Sequence, residues 1–157
     1  MRYHDFHLSS YLVSDFGTRI VLNLVYDYPG QTREESHIEF TDVACYHFVH
    51  SGGAIITDID EEPLDAFVKK EEAFLSATYV AQSVRFWQKS ASDYLVHLQN
   101  ENYRAWRIGS AIGFAGFVVA KKVGQISEPN KALLPTTMAV TICADAQLAP
   151  ATVAADL

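Results

Sequence analysis

The chain has 157 residues, of which 49% are hydrophobic and 20% charged, and a formal net charge of −7. One domain of this size can bury a core without help from a disulfide or a metal, and the composition excludes a disordered chain. The negative charge argues against general affinity for nucleic acid or for an anionic membrane, since both are polyanionic surfaces.

The opening of the sequence and its apolar runs bear on location. The segment "MRYHDFHLSS" has charges and histidines where a secretory signal needs an apolar core. The uncharged apolar run at 108–120 has thirteen residues. A membrane-spanning helix needs roughly 20. We therefore expect a cytoplasmic protein that does not enter the membrane.

Residues 1–60 are predicted to form β-strands. The segment 6–13, rich in aromatic and branched residues, and the alternating segment 19–28 flank a turn with the sequence "DFGT". The alternation in 19–28 places four apolar side chains on one face: Ile20, Leu22, Leu24 and Tyr26. A third strand follows the polar loop 29–36. Further on, "SGG" at 51–53 is typical of a hairpin turn, with "AIITDI" as the return strand.

A helix is predicted from about Asp60 to Ser76. Asp60 can cap it, and Pro63 is tolerated in a first helical turn. Its apolar stripe consists of Leu64, Phe67, Val68, Phe74 and Leu75. Glu71 falls within this stripe. Its carboxylate must therefore be paired, reach solvent or mark a break in the helix; a functional buried carboxylate is the alternative.

The segment 77–92 fits a helix and a strand equally well. From Asp93 a strand is predicted, with Tyr94, Val96 and Leu98 on one face. The segments "YRAWRIGS" and "AIGFAGFVVAKK" are then predicted to form a hairpin whose glycines mark bends or close backbone approach.

The character of the sequence changes at Gly124, since no aromatic residue follows Phe117 and three of the five prolines lie beyond it. We expect a compact β-rich domain at 1–123 and an Ala/Pro-rich extension at 124–157 that forms one strand or is partly disordered. The pattern as a whole predicts an α+β fold, mainly antiparallel β: a sandwich or open barrel of about seven to nine strands with one main helix.

Four of the six histidines lie in two copies of Tyr-His-x-x-His, at 3–7 and 46–50. Side chains three positions apart on a strand point to opposite faces, so neither copy can hold one metal ion locally. Each copy instead gathers one face: Tyr3, Asp5 and His7 in the first, and Tyr46, Phe48 and His50 in the second. If the two strands are neighbours, the candidate ligand-binding residues are Asp5, His7 and His50. We predict no metal site and no cofactor.

No motif predicts catalysis. Cys45 and His47 share a strand face, which is too little to define a nucleophile and its base. Ser110 lacks the Gly-x-Ser-x-Gly spacing of a nucleophile elbow. Cys45 and Cys143 both lie in apolar runs, which favours two buried thiols over a disulfide. We assign no catalytic residue, and the balance favours a protein that is not an enzyme.

One basic cluster consists of Arg104, Arg107, Lys121 and Lys122, to which Arg85 and Lys89 can add. With aromatic residues between them, these side chains have the composition of a nucleic-acid face. The net charge argues against that reading and favours an acidic protein partner. The candidate partner-binding residues are Arg104, Trp106 and Arg107.

The segments "YHDFHL", "GTRIVLNL" and "SHIEFTDVACYHF", and later "YRAWRIGSAIGFAGFVVAKK", resemble strands of small bacterial proteins, some of which are regarded as immunity proteins of polymorphic toxin systems. The resemblance implies a β-rich, mostly antiparallel domain that works by binding, and it brings no catalytic residue.

Three functions follow as expectations. The first is a non-enzymatic protein-interaction module of immunity type. The second is a small-molecule-binding or metal-assisted β-domain that uses strand histidines. The third is a homo-oligomeric structural protein with an edge strand or the C-terminal extension as its contact.

Overall fold

The computed structural model describes residues 3–82 and 90–127, with the backbone alone at 78–82. Within these ranges six strands and two helices follow in chain order: β1 (Phe6–Ser14), β2 (Arg19–Tyr26), β3 (Glu34–Thr41), β4 (Cys45–Glu62), α1 (Leu64–Gln82), α2 (Ala91–Asn100), β5 (Arg104–Ala120) and β6 (Lys122–Ile126). A 3-10 turn, Asp15–Gly17, joins β1 to β2, where the sequence predicted a turn.

The strands form one antiparallel sheet in the order β5-β4-β1-β2-β3-β6. The predicted α+β class with a mainly antiparallel sheet is confirmed. The described part of the chain has six strands, whereas about seven to nine were expected for a sandwich or barrel. Two predicted hairpins are single long strands, and the strand predicted from Asp93 is a helix, so fewer strands are present.

These long strands, β4 and β5, pair with each other along most of their length. The segment 51–53, expected to turn, lies inside β4, where Gly52 and Gly53 have φ angles of 91° and 46°. Gly113 of β5 has a φ of 75°, and a Cβ on it would collide with the carbonyl oxygen of Gly52. The glycines therefore allow both strands to bulge at the same place, since a residue with a Cβ would clash there.

The sheet curls into a half-barrel because its two edge strands are consecutive in the chain. Only Lys121 separates β5, which pairs with β4, from β6, which pairs with β3. The Lys121 amide donates to the carbonyl oxygen of Thr41 at 3.2 Å. Inside the curl lies the larger core, where the rings of Phe40 and Trp106 meet edge to face at 5.6 Å. Burial of these apolar side chains stabilises the curled sheet.

A second core lies on the opposite face of β4 and β5, under the two helices. Phe117 and Val119 belong to this core, whereas Val118, between them on β5, belongs to the first. Neighbouring side chains on a strand point to opposite faces, so the helices cover the outside of the half-barrel. Phe67 of α1 packs edge to face on Phe117, with ring centroids 4.9 Å apart.

Helix α1 begins at Leu64, not near Asp60, because Asp60, Glu61 and Glu62 are still paired with β5 as part of β4. It runs to Gln82, beyond the expected end at Ser76. The ambiguous segment 77–92 is thus helical as far as Gln82 and again from Ala91, and 83–89 lie outside the described residues.

The strand predicted from Asp93 is wrong, because this segment belongs to α2. Tyr94 and Leu98 are fully buried and four residues apart, on one helix face, whereas Val96 is exposed. Ser90 caps the helix: its hydroxyl accepts from the Asp93 amide at 3.2 Å and donates to the Asp93 carboxylate at 2.7 Å.

The end of the described chain crosses the expected domain boundary, because β6 pairs with β3 as far as Ile126. Positions 128–157, with Cys143, lie outside the described residues, as do Arg85 and Lys89. Neither of the helices in the described ranges is long and apolar enough to cross a membrane.

Candidate functional site

The ladder between β1 and β4 is short and then opens. The two strands pair only where Phe6, His7 and Leu8 lie opposite Ile56, Ile55 and Ala54. Beyond Leu8 the β1–β2 register shifts, and from Ser10 onward β1 pairs with β2 alone among the described strands. Residues 45–50 of β4 likewise pair with β5 alone. We call the two facing segments 9–14 and 45–53, which are not paired with each other, the β1–β4 seam.

Aromatic rings line the concave side of the β1–β4 seam. The Tyr11 ring reaches from β1 to Phe48, His50 and Phe114, with centroids 5.2, 6.2 and 6.3 Å away. Tyr46 lies 5.3 Å from Phe48, and Phe48 lies 5.1 Å from Phe114. Tyr11 and Tyr46 are each 39% exposed, so the cluster has a solvent-facing surface. We call these five residues the seam aromatics.

The Phe48 ring packs directly against Gly116 of β5. The two residues are directly opposite in the β4–β5 register. A Cβ on Gly116 would lie 2.6 Å from Cδ1 of Phe48 and would also collide with the carbonyl oxygen of His47. The absence of a side chain at this position therefore allows the ring to lie against the β5 backbone.

The seam segments 9–14 and 45–53, and the segment 109–116 of the neighbouring strand β5, carry no charged Asp, Glu, Lys or Arg side chain. Their polar side chains are hydroxyls, the Cys45 thiol and the imidazoles of His47 and His50. Of the two histidines, His50 is exposed. The net charge of −7 therefore comes from residues outside these segments.

The predicted grouping of Tyr46, Phe48 and His50 on one face is confirmed by their ring contacts, which all lie on the concave side. The grouping of Tyr3, Asp5 and His7 does not extend along a strand, because β1 begins only at Phe6. Tyr3 is instead buried in the larger core.

The three candidate ligand residues lie apart. Asp5 is exposed in the turn before β1, with a carboxylate oxygen 3.5 Å from Nδ1 of His4. The ring of His7 stacks near Tyr28 at 5.2 Å, and His7 lies between two residues of the concave core, so it faces outward. His50 faces inward, toward Phe114. The described residues contain no group of three or more potential metal ligands.

The predicted partner-binding residues make internal contacts. The Arg107 guanidinium donates to Glu62 at 2.8 and 3.0 Å and pairs with Glu71 at 2.9 Å. Arg104 lies 3.3 Å from Glu61. Trp106 is only 4% exposed and belongs to the larger core, which leaves it no surface for a partner.

The sequence left open how the Glu71 carboxylate is accommodated within the apolar stripe of the helix. In the structure it is paired with Arg107. Burial alone would lower the pKa of Arg107, but its hydrogen bonds to Glu62 and Glu71 outweigh that effect, so the pKa is raised. The Glu101 carboxylate neutralises a further member of the basic cluster, because the Lys121 ammonium donates to it at 3.0 Å.

The possible nucleophiles are held in unreactive settings. Burial raises the pKa of the Cys45 thiol to about 12, even though the Tyr94 hydroxyl donates to its sulfur at 3.6 Å. A thiol with that pKa carries almost no thiolate at neutral pH, and the thiolate is the nucleophile. The Ser110 hydroxyl donates to the Phe114 carbonyl oxygen, within its own strand.

A polar cleft of about 340 Å³ lies where β4 meets α1 and α2 meets β5. Its lining is mostly carboxylate, amide and guanidinium groups, above the ring of the mostly buried Tyr103: Glu61, Glu62, Pro63, Leu64, Gln99, Asn102, Tyr103 and Arg104. Among these lining residues, Arg104 is the one that the sequence analysis named as a candidate partner-binding residue.

Comparison of the chain with protein-family models, curated proteins and solved structures finds no match. The site is therefore assigned from its own geometry. Sequence reasoning identified His50 but missed Tyr11 and Phe114 as its neighbours. Their signal was faint: both are aromatic residues within strands, and their meeting depends on which strands are adjacent.

Proposed function

We propose that this protein is a non-enzymatic protein-interaction module and that the seam aromatics are its contact surface. One observation carries the proposal: five rings from strands β1, β4 and β5 form one contact cluster, and two tyrosines among them remain 39% exposed. Aromatic residues are enriched at protein interfaces, where they provide large contact area at low entropic cost.

The chemistry of the other groups supports binding over catalysis. The Cys45 thiol is protonated at neutral pH, the Ser110 hydroxyl is occupied by a strand carbonyl, and Arg107 is held by two carboxylates. The uncharged seam favours a partner surface that is itself uncharged at the contact, because a charge buried there would lose its hydration without gaining a partner.

The resemblance of several strand segments to small bacterial proteins of immunity type supports a more specific form of the proposal. An immunity protein acts by covering a surface of a toxin, which requires a binding face and no chemistry of its own. The seam aromatics offer such a face, and the partner would then be a toxin domain with an uncharged apolar contact.

The test is site-specific photocrosslinking in cells that produce the protein. A photoreactive phenylalanine analogue replaces Tyr46, which is half-exposed in the seam, and in a matched control it replaces Val96, an exposed residue of α2. We expect one discrete protein adduct from position 46 that position 96 does not give.

The crosslinked protein is then purified and its affinity measured. Tyr46→Ala is expected to weaken binding by about tenfold or more, because truncating a central interface ring removes a large contact area, whereas Val96→Ala leaves the affinity unchanged. Equal adducts from both positions, or equal affinities of both alanine variants, would contradict the proposal.

A second candidate function is small-molecule binding at the polar cleft. Its volume of about 340 Å³ supports this candidate, since small-ligand sites begin at roughly 300 Å³. Ligand-detected NMR with a set of small polar and zwitterionic compounds tests it. We expect hits that the wild type binds and that the substitution Gln99→Trp, which fills the cleft from helix α2, abolishes; hits that bind both proteins equally would contradict it.

A further inference from the structure

We propose that the β1–β4 seam accepts an extended, uncharged segment of a partner protein as an additional strand between β1 and β4. The inference rests on the proposed interaction function and names the form of the partner: a single flexible stretch of chain that adds to the sheet through its backbone.

The first argument concerns backbone hydrogen bonds. Along 10–14 the β1 strand is paired on the β2 side, and along 45–50 the β4 strand is paired on the β5 side. In a strand the amide and carbonyl groups of successive residues point to alternate sides. Each strand therefore directs a row of donors and acceptors into the seam, and such rows are a template for another strand.

The second argument concerns the ends of the seam, which set the length of what fits. At one end the ladder is intact where Leu8 lies opposite Ala54. At the other end the connection between β3 and β4 is held to the β1–β2 hairpin, because the Val43 amide donates to the Thr18 carbonyl oxygen at 2.9 Å. The open part of β1 is 9–14, so at about 3.3 Å per residue the seam suits an inserted segment of about six residues.

The third argument concerns side chains. The side chains of an inserted strand would alternate between the concave side, where they meet the rings of Tyr11, Phe48 and His50, and the convex side, near Leu12 and the exposed Val49. Neither strand segment of the seam, 9–14 or 45–53, carries a charged Asp, Glu, Lys or Arg side chain. Because a charged side chain of the inserted strand would find no oppositely charged partner in these segments, we expect a segment without Asp, Glu, Lys or Arg and with apolar residues on both faces.

The position of the seam identifies a flexible segment as the occupant instead of a second copy of this chain. The seam lies inside the sheet, bounded by β1 on one side and β4 on the other. A single extended segment can enter between two strands. The edge strand of a folded second copy already has one side paired and cannot supply hydrogen bonds to both walls.

The experiment begins with a displayed library of random peptides of about ten residues, long enough to overlap a seam of about six. Peptides are selected on the immobilised wild-type protein and counter-selected on Tyr11→Ala, and the best is synthesised with a fluorophore. Its affinity is measured by anisotropy. The selected sequences are expected to be uncharged in the bound core and apolar on both faces.

The decisive probes are two versions of that peptide, N-methylated at odd or at even positions of the core. An inserted strand uses both rows of its amides, one toward each wall, so each version is expected to bind at least about tenfold more weakly. Amide hydrogen exchange in 9–14 and 45–53 is expected to slow when the unmodified peptide binds.

Three outcomes would overturn the inference: a selection without seam-dependent peptides, a peptide that tolerates either N-methylated set, or slowed exchange confined to other segments. The crosslinking result at Tyr46 is independent of all three, so failure of strand insertion is distinguishable from failure of the interaction function. Tyr11→Phe, which keeps the ring, is expected to retain binding and guards against a folding defect in Tyr11→Ala.

Discussion

The Arg107 guanidinium lies 2.9 Å from the Glu71 carboxylate and joins helix α1 to strand β5 across the second core. The same guanidinium binds Glu62 of β4 and lies over the rings of Phe67 and Phe117, at 5.9 and 5.6 Å from their centroids. Arg107 is 28% exposed and Glu71 is 17% exposed at the side chain, so the pair is only partly screened by water.

A double-mutant cycle measures this relationship. With Glu71→Gln and Arg107→Met, we expect a coupling free energy of about 1–3 kcal/mol in chemical denaturation, because the pair is partly buried and the hydrogen bonds are charge-assisted. The matched control is Arg104 with Glu61, 57% and 50% exposed, where the coupling is expected to stay below about 1 kcal/mol. Equal coupling in the two cycles would contradict the structural assignment.

Gly116→Ala is expected to lower the free energy of unfolding by about 1–3 kcal/mol, because the new methyl group meets Phe48 and the His47 carbonyl. Gly124→Ala is the control. No atom lies within 4 Å of a Cβ at Gly124, so its effect is expected to stay within about 0.5 kcal/mol of zero. Urea denaturation measures both, and a neutral Gly116→Ala would show that the ring does not rest on this glycine.

The Cys45 thiol is expected to resist alkylation in the native state. Burial raises its pKa from 9.0 to about 12, so at pH 8 its thiolate fraction is roughly a thousandfold lower than in the unfolded chain. Iodoacetamide labelling of Cys143→Ser, followed by mass spectrometry with and without denaturant, measures the ratio. Fast labelling of the native protein would contradict this prediction, because it would show that the thiol is accessible to solvent.

The same shift predicts a loss of stability in alkaline solution. Because the pKa of Cys45 is higher in the folded state, the unfolded chain releases the thiol proton first as the pH rises. The contribution of the protonated thiol to the free energy of unfolding is therefore complete below about pH 9 and is lost as the pH rises toward about 12. The double variant Cys45→Ser, Cys143→Ser removes this part of the pH dependence, and a curve unchanged by Cys45→Ser would rule the thiol out as its source.

Phe16, at the tip of the β1–β2 hairpin, combines full exposure with a φ of 56°. A left-handed conformation is strained for a residue with a bulky side chain, and Asn tolerates it better. Phe16→Asn is therefore expected to raise the free energy of unfolding by about 0.5–1 kcal/mol. A loss of stability instead would mean that the ring makes contacts in solution. Gly17→Ala, at a φ of 85°, is expected to destabilise the same turn.

Strand β2 was predictable because one period dominates it. Ile20, Leu22 and Leu24 lie two residues apart and face the concave core, as the sequence indicated. The stripe of α1 was equally clear, since Phe67, Val68 and Leu75 are all buried. Local periodicity reports which face of an element is covered, whatever covers it.

The errors have two physical sources. In α2, Tyr94 and Leu98 satisfy both the strand and the helix periods, and only the capping pair Ser90 and Asp93 separates the two readings. At Gly52 the sequence of a turn and the sequence of a bulge are the same, because both need positive φ. In each case a short local pattern had two solutions.

The seam could not be predicted from the sequence by any local rule. It exists because β1 leaves β4 after Leu8, and that depends on the pairing of residues more than forty positions apart. His50 was singled out as a candidate ligand-binding residue in the second Tyr-His-x-x-His copy, but its environment comes from Tyr11 and Phe114, which reach it from two other strands.

The bend at Lys121 makes the two edge registers interdependent. Val119 lies opposite Cys45 on β4, and four residues later Val123 lies opposite Phe40 on β3 and packs on the larger core. A one-residue slip of β5 would carry β6 with it and place Lys122 or Gly124 where Val123 belongs. The correct register of β5 on β4 therefore also sets the correct register of β6 on β3. A sheet with a slipped β5 is destabilised at both pairings and is disfavoured during folding.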